Sequence, residues 1–395
     1  MKIRYRSLDV FRGATVCLMI LVNNPGSWAH IYAPLDHAPW HGLTPTDLVF
    51  PFFLFAVGNA MSFVIPRLQE AGPAEFWKKI TKRTLIIFGI GIFLNWSPFV
   101  RWNGDTLQAV TWVTDPAKNI GIRIFGVLQR IAFCYFFASI IVYYLKPKTA
   151  YFLSLVLLLA YWGLCILGNP ADPYSLKGWF GTNIDKAILH IPHMYKGEGV
   201  PFDPEGFASS LGAIVQIVFG YFVGMYIKNS SAQIPKDLTD KQDPRNPMFK
   251  MLTVLFVAGV GLLVTGFCWD MVFPINKKIW TSSYTVYTTG LAIITLCVMI
   301  FFIEIKGSKS FLATFFEVFG KNPLFIFALS GFLPRLAALF KTKSGVTPWN
   351  WLYMKVLVHT PGAKENGSLL FAICVIIFMW AIAWWLDKRK IYIKV

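Results

Sequence analysis

The chain is expected to be all-α: a single polytopic transmembrane bundle of about ten helices over residues 1–395, with both termini cytoplasmic. Three observations lead there. Of 395 residues, 55% are hydrophobic and only 14% charged, against about 25% charged in a soluble domain, which leaves too little polar surface to coat a globule. Apolar runs near the ~20 residues that span a bilayer recur along the chain, continuous and not alternating, which favours helices over a barrel. The Lys and Arg residues punctuate these runs and form no basic module, so the net charge of +17 fits the positive-inside pattern and not a nucleic-acid binder.

In order, the expected spans are 8–22, 48–64, 84–99, 126–144, 150–167, 207–227, 251–267, 284–305, 323–340 and 369–386. The first follows MKIRYR; no small-residue cleavage site comes after it and a second run does, so it reads as a retained helix and not a signal peptide. The second is preceded by Asp47, a helix start signal. With the N-terminus inside, basic residues concentrate in the inner segments. They are Lys2, Arg4 and Arg6; Arg67, Lys78, Lys79, Lys82 and Arg83; Lys146 and Lys148; and Lys228, Lys236, Lys241, Arg245 and Lys250. Lys306 and Lys309, then Lys388, Arg389, Lys390 and Lys394 in the tail, complete the set. The outer links 23–47, 101–125, 168–206 and 341–368 are longer yet poorer in Lys and Arg. They are rich in Trp, Asn, Asp, Gly and Pro, and all six histidines (His30, His37, His41, His190, His193, His359) fall at or near that face. The inner link 228–250 reads as an ordinary charged connection. The six cysteines sit in or beside apolar runs without CxxC or Cys/His ligand spacing, so neither a disulfide nor a structural zinc site is expected. No internal repeat is visible.

The link 23–47, NNPGSWAHIYAPLDHAPWHGLTPTD, carries the most chemistry. His37 and His41 are four apart, a metal spacing on a helix, but Pro39 between them and Gly42 after them argue against a helix, and no third ligand is evident. A neutral imidazole here suits a general base, and residue types alone leave His30, His37 and His41 equal. Asn24, before Pro25 and Gly26, reads as a helix-end or turn residue, whereas Asn23 faces the outer site and suits hydrogen bonding. Asp47 is balanced between capping the next helix and orienting a histidine or holding an amine. Asp9 and Arg12 share a helical face and permit an ion pair, more a structural anchor than a ligand site. In RIFGVLQR, Arg123, Gln129 and Arg130 need partners so near an apolar run, and Arg130, the deeper one, is expected to pair with an acidic residue. Asp203 and Glu205 in FDPEG form a turn that either caps the next helix or binds an amine or sugar hydroxyls. In PINKKIW, Asn276, Lys277 and Lys278 precede a Trp280 whose plainer reading is an interfacial belt.

Taken together, RSLDVFRG, LVNN, HAPWHGLTPTDLVFPFF, RIFGVLQR, FDPEG, PINKKIWTSSY and the tail DKRKIYIKV resemble the transmembrane heparan-α-glucosaminide N-acetyltransferases and their bacterial relatives, the amino-sugar acetyltransferases. Each motif is short; their order from the first helix to the last residues makes the combination specific. The resemblance implies transfer of an acetyl group from cytoplasmic acetyl-coenzyme A to the amine of a glucosamine-type sugar or a glucosamine-terminated glycan at the outer, periplasmic face of an inner membrane. It places the catalytic histidine on His37 and its partner asparagine on Asn23. The stretch SWAHIYAPLD between them is longer than in the lysosomal members, and the chain is expected to be of the bacterial form. Asp47, Asp203, Glu205, Trp40 and Asn276 are the expected sugar contacts, and Arg12, Arg83 and Arg130 the expected coenzyme A contacts. The lipid bilayer is a partner, the family suggests a homodimer, and no metal is implied. Two other readings remain: a membrane O-acyltransferase acting on a glycan hydroxyl, and a sugar or peptide transporter, against which the clustering of His, Asn and Asp on one side argues.

Overall fold

The computed structural model describes residues 5–115, 120–232, 247–308, 310–340, 342 and 345–393. Lys2, Arg4, Lys236, Lys241, Arg245, Lys309 and Lys394, used above for orientation, lie outside the described residues. The helices are α1 (Arg6–Asn23), α2 (Val49–Met61), α3 (Ile65–Ala71), α4 (Pro73–Trp96), α5 (Val127–Tyr144), α6 (Pro147–Gly168) and α7 (Gly181–Leu189). They continue as α8 (Ser210–Ala232), α9 (Pro247–Asp270), α10 (Ser282–Ile300), α11 (Phe311–Lys321), α12 (Pro323–Ala337), α13 (Trp351–Lys355) and α14 (Lys364–Lys388). Two small antiparallel hairpins, β1 (Val100–Asn103) with β2 (Thr106–Ala109) and β3 (Val113–Asp115) with β4 (Ile120–Gly121), fold over one end.

Each of the ten expected spans is a helix. Eight stretches among the described residues are long and apolar enough to cross a bilayer; the other two expected spans, α1 and α4, are helices that carry charge in their first turns. Proline sets several starts: Pro73, Pro147, Pro247 and Pro323 each open a helix, where the missing N–H has no intrahelical partner to lose. The second span bends: α2 ends at Met61, Pro66 falls in the first turn of α3, and Gly72 (φ +94°) separates α3 from α4. The amphipathic eleven-residue α11 has no counterpart among the expected spans.

Both chain ends meet at one end of the bundle. There Arg6 pairs with Glu317 at 2.6 Å, and Lys321 reaches Glu317 at 3.4 Å and Asp387 at 2.9 Å, tying α1, α11 and α14 together. The links at the other end are cross-tied by backbone and side chain: Gly26 N–H donates to Ser368 O (3.2 Å), Gly42 N–H to Ile275 O (2.8 Å), and the Trp102 indole to Leu339 O (3.1 Å). All six histidines fall in links at this second end. At the centre α2 and α8 are the most buried of the candidate spans. Two contacts bring backbones together without side chains between them. A Cβ on Gly13 would lie 1.8 Å from Phe316 O, and one on Gly320 would lie 2.0 Å from Asp9 O; on the next pair, Gly58 meets Ile217 O and Gly220 meets Phe55 O in the same way.

Candidate active site

The site forms where α1 ends and α2 begins. Asn24 terminates α1, its amide donating to Ile20 O at 3.0 Å, as its turn chemistry implied. Asn23, the last residue of α1, is left at the wall of a cavity of about 240 Å³. Thr44 and Asp47 form a capping box that starts the next helix. Capping uses only one side of the Asp47 carboxylate. Oδ2 accepts from the Thr44 and Ala38 backbone N–H groups at 3.1 Å each and from Thr44 Oγ1 at 3.0 Å. Oδ1 meets His37 Nδ1 at 2.7 Å. The carboxylate is buried, 1% exposed, while the imidazole keeps 42% of its surface open. An ionised carboxylate only accepts, so this contact fixes the proton on Nδ1 and leaves Nε2 as the unprotonated, accepting nitrogen. Tyr284 O–H donates to Asp47 O at 2.5 Å and anchors the dyad to α10.

A second segment, 240 residues later in sequence, closes the site. Lys277 Nζ lies 3.0 and 3.2 Å from the two His37 ring nitrogens and 3.5 Å from Asp47 Oδ1. Burial pushes the Lys277 ammonium below the ordinary lysine value, against the opposing pull of Asp47 and Glu205. Lys278 donates to Pro39 O and Glu198, both at 2.8 Å, and its ammonium lies 5.8 Å from the centre of the Trp40 ring. The third wall is FDPEG. Arg123 donates to Asp203 Oδ1 at 2.6 Å and Oδ2 at 3.1 Å, and to Glu205 Oε2. Burial works against the charge of both carboxyls. Burial prevails at Asp203, whose value is raised; at Glu205 the neighbouring Arg123 and Arg130 prevail and hold it down. Behind them burial pushes the Asp185 carboxyl up to about 7, with Asp203 adding to the rise, although Oδ1 accepts the Phe207 N–H at 2.8 Å.

The cavity gathers Asn23, His37, Trp40, Asp47, Arg130 and Glu205 from the expected set. Three other expected residues lie off this cavity, and the readings of Arg130's partner and of Trp280 change. Asp203 does not line the cavity: it is fully buried and spends its oxygens on Arg123 and on the Tyr195 and Glu205 backbone N–H groups. Asn276 is buried too, closing its own turn by accepting the Ile279 N–H at 3.1 Å, with its amide 3.4 Å from His41 Nδ1. Arg83 lies against the Tyr135 ring, 4.7 Å from its centre, and does not reach the cavity wall. Arg130 pairs with no acidic side chain among the described residues; it donates to Pro204 O at 2.5 Å and to Ser209 O, and Arg123 takes the carboxylates instead. Trp280 is no belt residue either: it is 1% exposed and lines the cavity. Lys277, Lys278, Glu198 and Tyr195 also line the cavity and were not singled out as site residues; only the PINKKIW motif pointed at the first two. His41 lies beside the dyad without joining it, and His30 lines a separate small crevice.

Arg12 lies in the second turn of α1, toward the end away from Asn23. It pairs with Asp9 at 2.7 Å, as their spacing allowed, and donates to Gly320 O at 2.9 Å. With Tyr5, Phe63, Asn59 and Arg67 it lines a second cavity of about 330 Å³. Arg12 and Asn23 thus lie about 16 Å apart along one helix at 1.5 Å per residue. No group of three His, Cys, Asp or Glu side chains that could hold a metal ion occurs among the described residues.

Comparison with known proteins gives the chemistry a context. Residues 4–186 match the family model described as heparan-alpha-glucosaminide N-acetyltransferase, catalytic. The human heparan-alpha-glucosaminide N-acetyltransferase is 26% identical over 355 residues, covering 77% of this chain and 49% of that protein. The mouse protein of the same name is 24% identical over 354 residues, covering 77% of this chain and 50% of that protein. The chain spans about half the length of these curated relatives.

Proposed function

We propose, from this likeness and from the His37–Asp47 dyad, that the protein is a membrane N-acetyltransferase moving the acetyl group of acetyl-coenzyme A to the amine of a glucosamine-type sugar. The observation that carries the reading is the dyad: a buried carboxylate fixes the imidazole tautomer, and the basic nitrogen faces a cavity. An amine must be neutral to attack a thioester. His37 Nε2 removes its proton, Asp47 stabilises the imidazolium that forms, and Asn23 at the same wall orients the reactants. The position of Lys277 supports the amine assignment, since an ammonium already sits within 3.2 Å of Nε2 and 3.5 Å of Asp47. An incoming amino sugar meets the same pair of groups once Lys277 gives way. Glu205, Glu198 and Trp40 then offer acceptors and a ring face to the sugar, as pyranose hydroxyls and C–H faces require.

The donor is large and multiply anionic, so it is read as entering from the basic, cytoplasmic end. Arg12 and Arg67 at the inner cavity suit its phosphates, and Asn59, whose Oδ1 has no hydrogen-bond partner among the described residues, suits a polar group between them. The thin pantetheine arm then runs alongside α1 toward Asn23. The outer, periplasmic position of His37 follows from the same orientation. A covalent acetyl-histidine is the second route open to this dyad, since Nε2 is also a nucleophile. The test is acetyl transfer from labelled acetyl-coenzyme A to glucosamine by the detergent-solubilised protein and its His37→Ala variant. Transfer by the parent alone supports the reading. Equal transfer by both removes His37 from the chemistry, and none by the parent to any amino sugar sends the assignment to hydroxyl acceptors and then to transport.

A further inference from the structure

Trp280 is anomalous in three independent ways. Its φ is +51°, a left-handed conformation shared among non-glycine residues only by Phe99, His190 and Lys390 within the described residues, and Trp280 alone of these is buried. Bulky residues adopt it only where the surroundings enforce it, and such positions cluster at functional sites. Here the turn is clamped from both ends: Thr281 N–H donates to Asn276 O at 3.1 Å, and Asn276 N–H donates to Thr281 Oγ1 at 3.0 Å. Second, the indole is wedged edge-on against Phe50 (5.2 Å) and Tyr284 (5.1 Å), with Gly212 leaving no room for a Cβ on its other side. Third, its Nε1–H, although buried, has no hydrogen-bond partner among the described residues.

The residue stacked on it shares the third property. The Arg130 guanidinium carbon lies 4.3 Å from the Trp280 ring centre. Its two terminal nitrogens are spent on Pro204 O and Ser209 O, and its Nε–H, equally buried, has no partner among the described residues. Both residues line the cavity that holds His37 and Asn23. Leaving an N–H donor unsatisfied on each of two stacked side chains in a buried wall is unfavourable unless they meet an acceptor during the working cycle.

We propose that Trp280 Nε1–H and Arg130 Nε–H form the oxyanion site: they bind the carbonyl oxygen of the transferred acetyl group and stabilise the negative charge it acquires. The inference rests on the acetyl-transfer reading above. In the step, the amine lone pair forms the new C–N bond while the carbonyl π pair moves onto oxygen. His37 Nε2 takes the N–H proton. The oxyanion pair then re-forms C=O, the C–S bond breaks, and the departing thiolate takes the proton from His37, giving amide and thiol. Trp280 and Arg130 neither gain nor lose a proton; the Arg130 charge adds field to the hydrogen bonds.

Trp280→Phe keeps a ring beneath Arg130 and removes only the N–H. With labelled acetyl-coenzyme A and glucosamine, kcat is expected to fall about 10²-fold or more, with both KM values within threefold and the melting temperature of the detergent-solubilised protein unchanged. A dithioester donor, whose sulfur replaces the carbonyl oxygen and accepts hydrogen bonds weakly, should slow the parent more than the variant, a difference that a structural role would not produce. Arg130→Lys keeps the cation without Nε–H and decides the matter if the Phe variant does not fold; it too should lose kcat and not KM. A kcat within threefold of the parent in the folded variant, or a loss confined to KM, overturns the oxyanion assignment while leaving acetyl transfer intact. A parent inactive with every amine refutes the functional reading and this inference with it.

Discussion

Replacing Asp47 by Asn tests the dyad with the smallest change in shape. The amide has one oxygen to give, and the structure dictates where it goes. On the Oδ2 side three donors converge, the Ala38 and Thr44 N–H groups and the Thr44 hydroxyl, all within 3.1 Å. Turning an NH2 toward them would strand two half-buried N–H groups, a loss on the order of 1 kcal/mol each. The oxygen therefore stays with the loop and the NH2 faces His37 across the 2.7 Å contact. The imidazole must then accept at Nδ1 and carry its proton on Nε2, the nitrogen proposed above as the base. A positioned general base is worth about 10²–10⁴-fold, and a carboxylate-to-amide change that traps the wrong tautomer lies near the upper end. Asp47→Asn should therefore lower kcat about 10³–10⁴-fold in the labelled-acetyl assay, with an elution profile and melting temperature close to those of the parent. A variant that is folded and retains kcat within threefold would refute the tautomer argument. A loss seen only in the KM for the sugar would instead make Asp47 a substrate contact.

Three further outcomes are expected. The Asp185 carboxyl, at about 7 when folded against 3.8 ordinarily, holds its proton more tightly in the native state. Its contribution to stability is therefore complete below pH ~4 and is lost as pH rises through 7, on the order of 4 kcal/mol for about three pH units at 1.36 kcal/mol each; the melting temperature should fall as pH rises from about 4 to 7 and level off above that, and Asp185→Asn should flatten that slope. Arg67→Ala should raise the KM for acetyl-coenzyme A about tenfold or more at unchanged kcat, as loss of a charge-assisted contact predicts; an unchanged KM would dissociate the inner cavity from the donor. Arg123→Ala strands the buried Asp203 and Glu205 and should cost about 3–5 kcal/mol, read as a drop in melting temperature that the added changes Asp203→Asn and Glu205→Gln partly reverse.

The sequence disclosed what depends on local pattern. Apolar runs marked all ten long helices, and proline and basic residues marked their ends. It missed α11, which at eleven residues is too short and too amphipathic to register as a span, and it ran α2 straight through a bend. Within the site, His37, Asp47 and Trp40 were legible because they share one polar link where an apolar chain has little need of such residues. Lys277 and Trp280 were visible only as a motif. That a tryptophan beside a span turns inward depends on a left-handed backbone at one residue and on a glycine in α8, and neither leaves a local signature at Trp280. The exchange between the two arginines has a similar cause: which of Arg123 and Arg130 meets the FDPEG carboxylates is decided by how the turn sits on α5, not by depth along the chain.

The glycine contacts of α1 with α11 and of α2 with α8 bear on how the two faces communicate. A carrier presents one site to each side in turn, and its halves must slide or rock against each other. Here displacing α1 along α11 by one turn would drive neighbouring side chains into carbonyl oxygens that now sit where a single methyl group does not fit. The same interlock holds α2, which leads out of the dyad, against α8. Under the acetyl transfer proposed above, a frame held this way leaves the reactive end of a long, thin donor to travel to the sugar, and selectivity between acyl donors then resides in the length of the arm as much as in the chemistry at its tip.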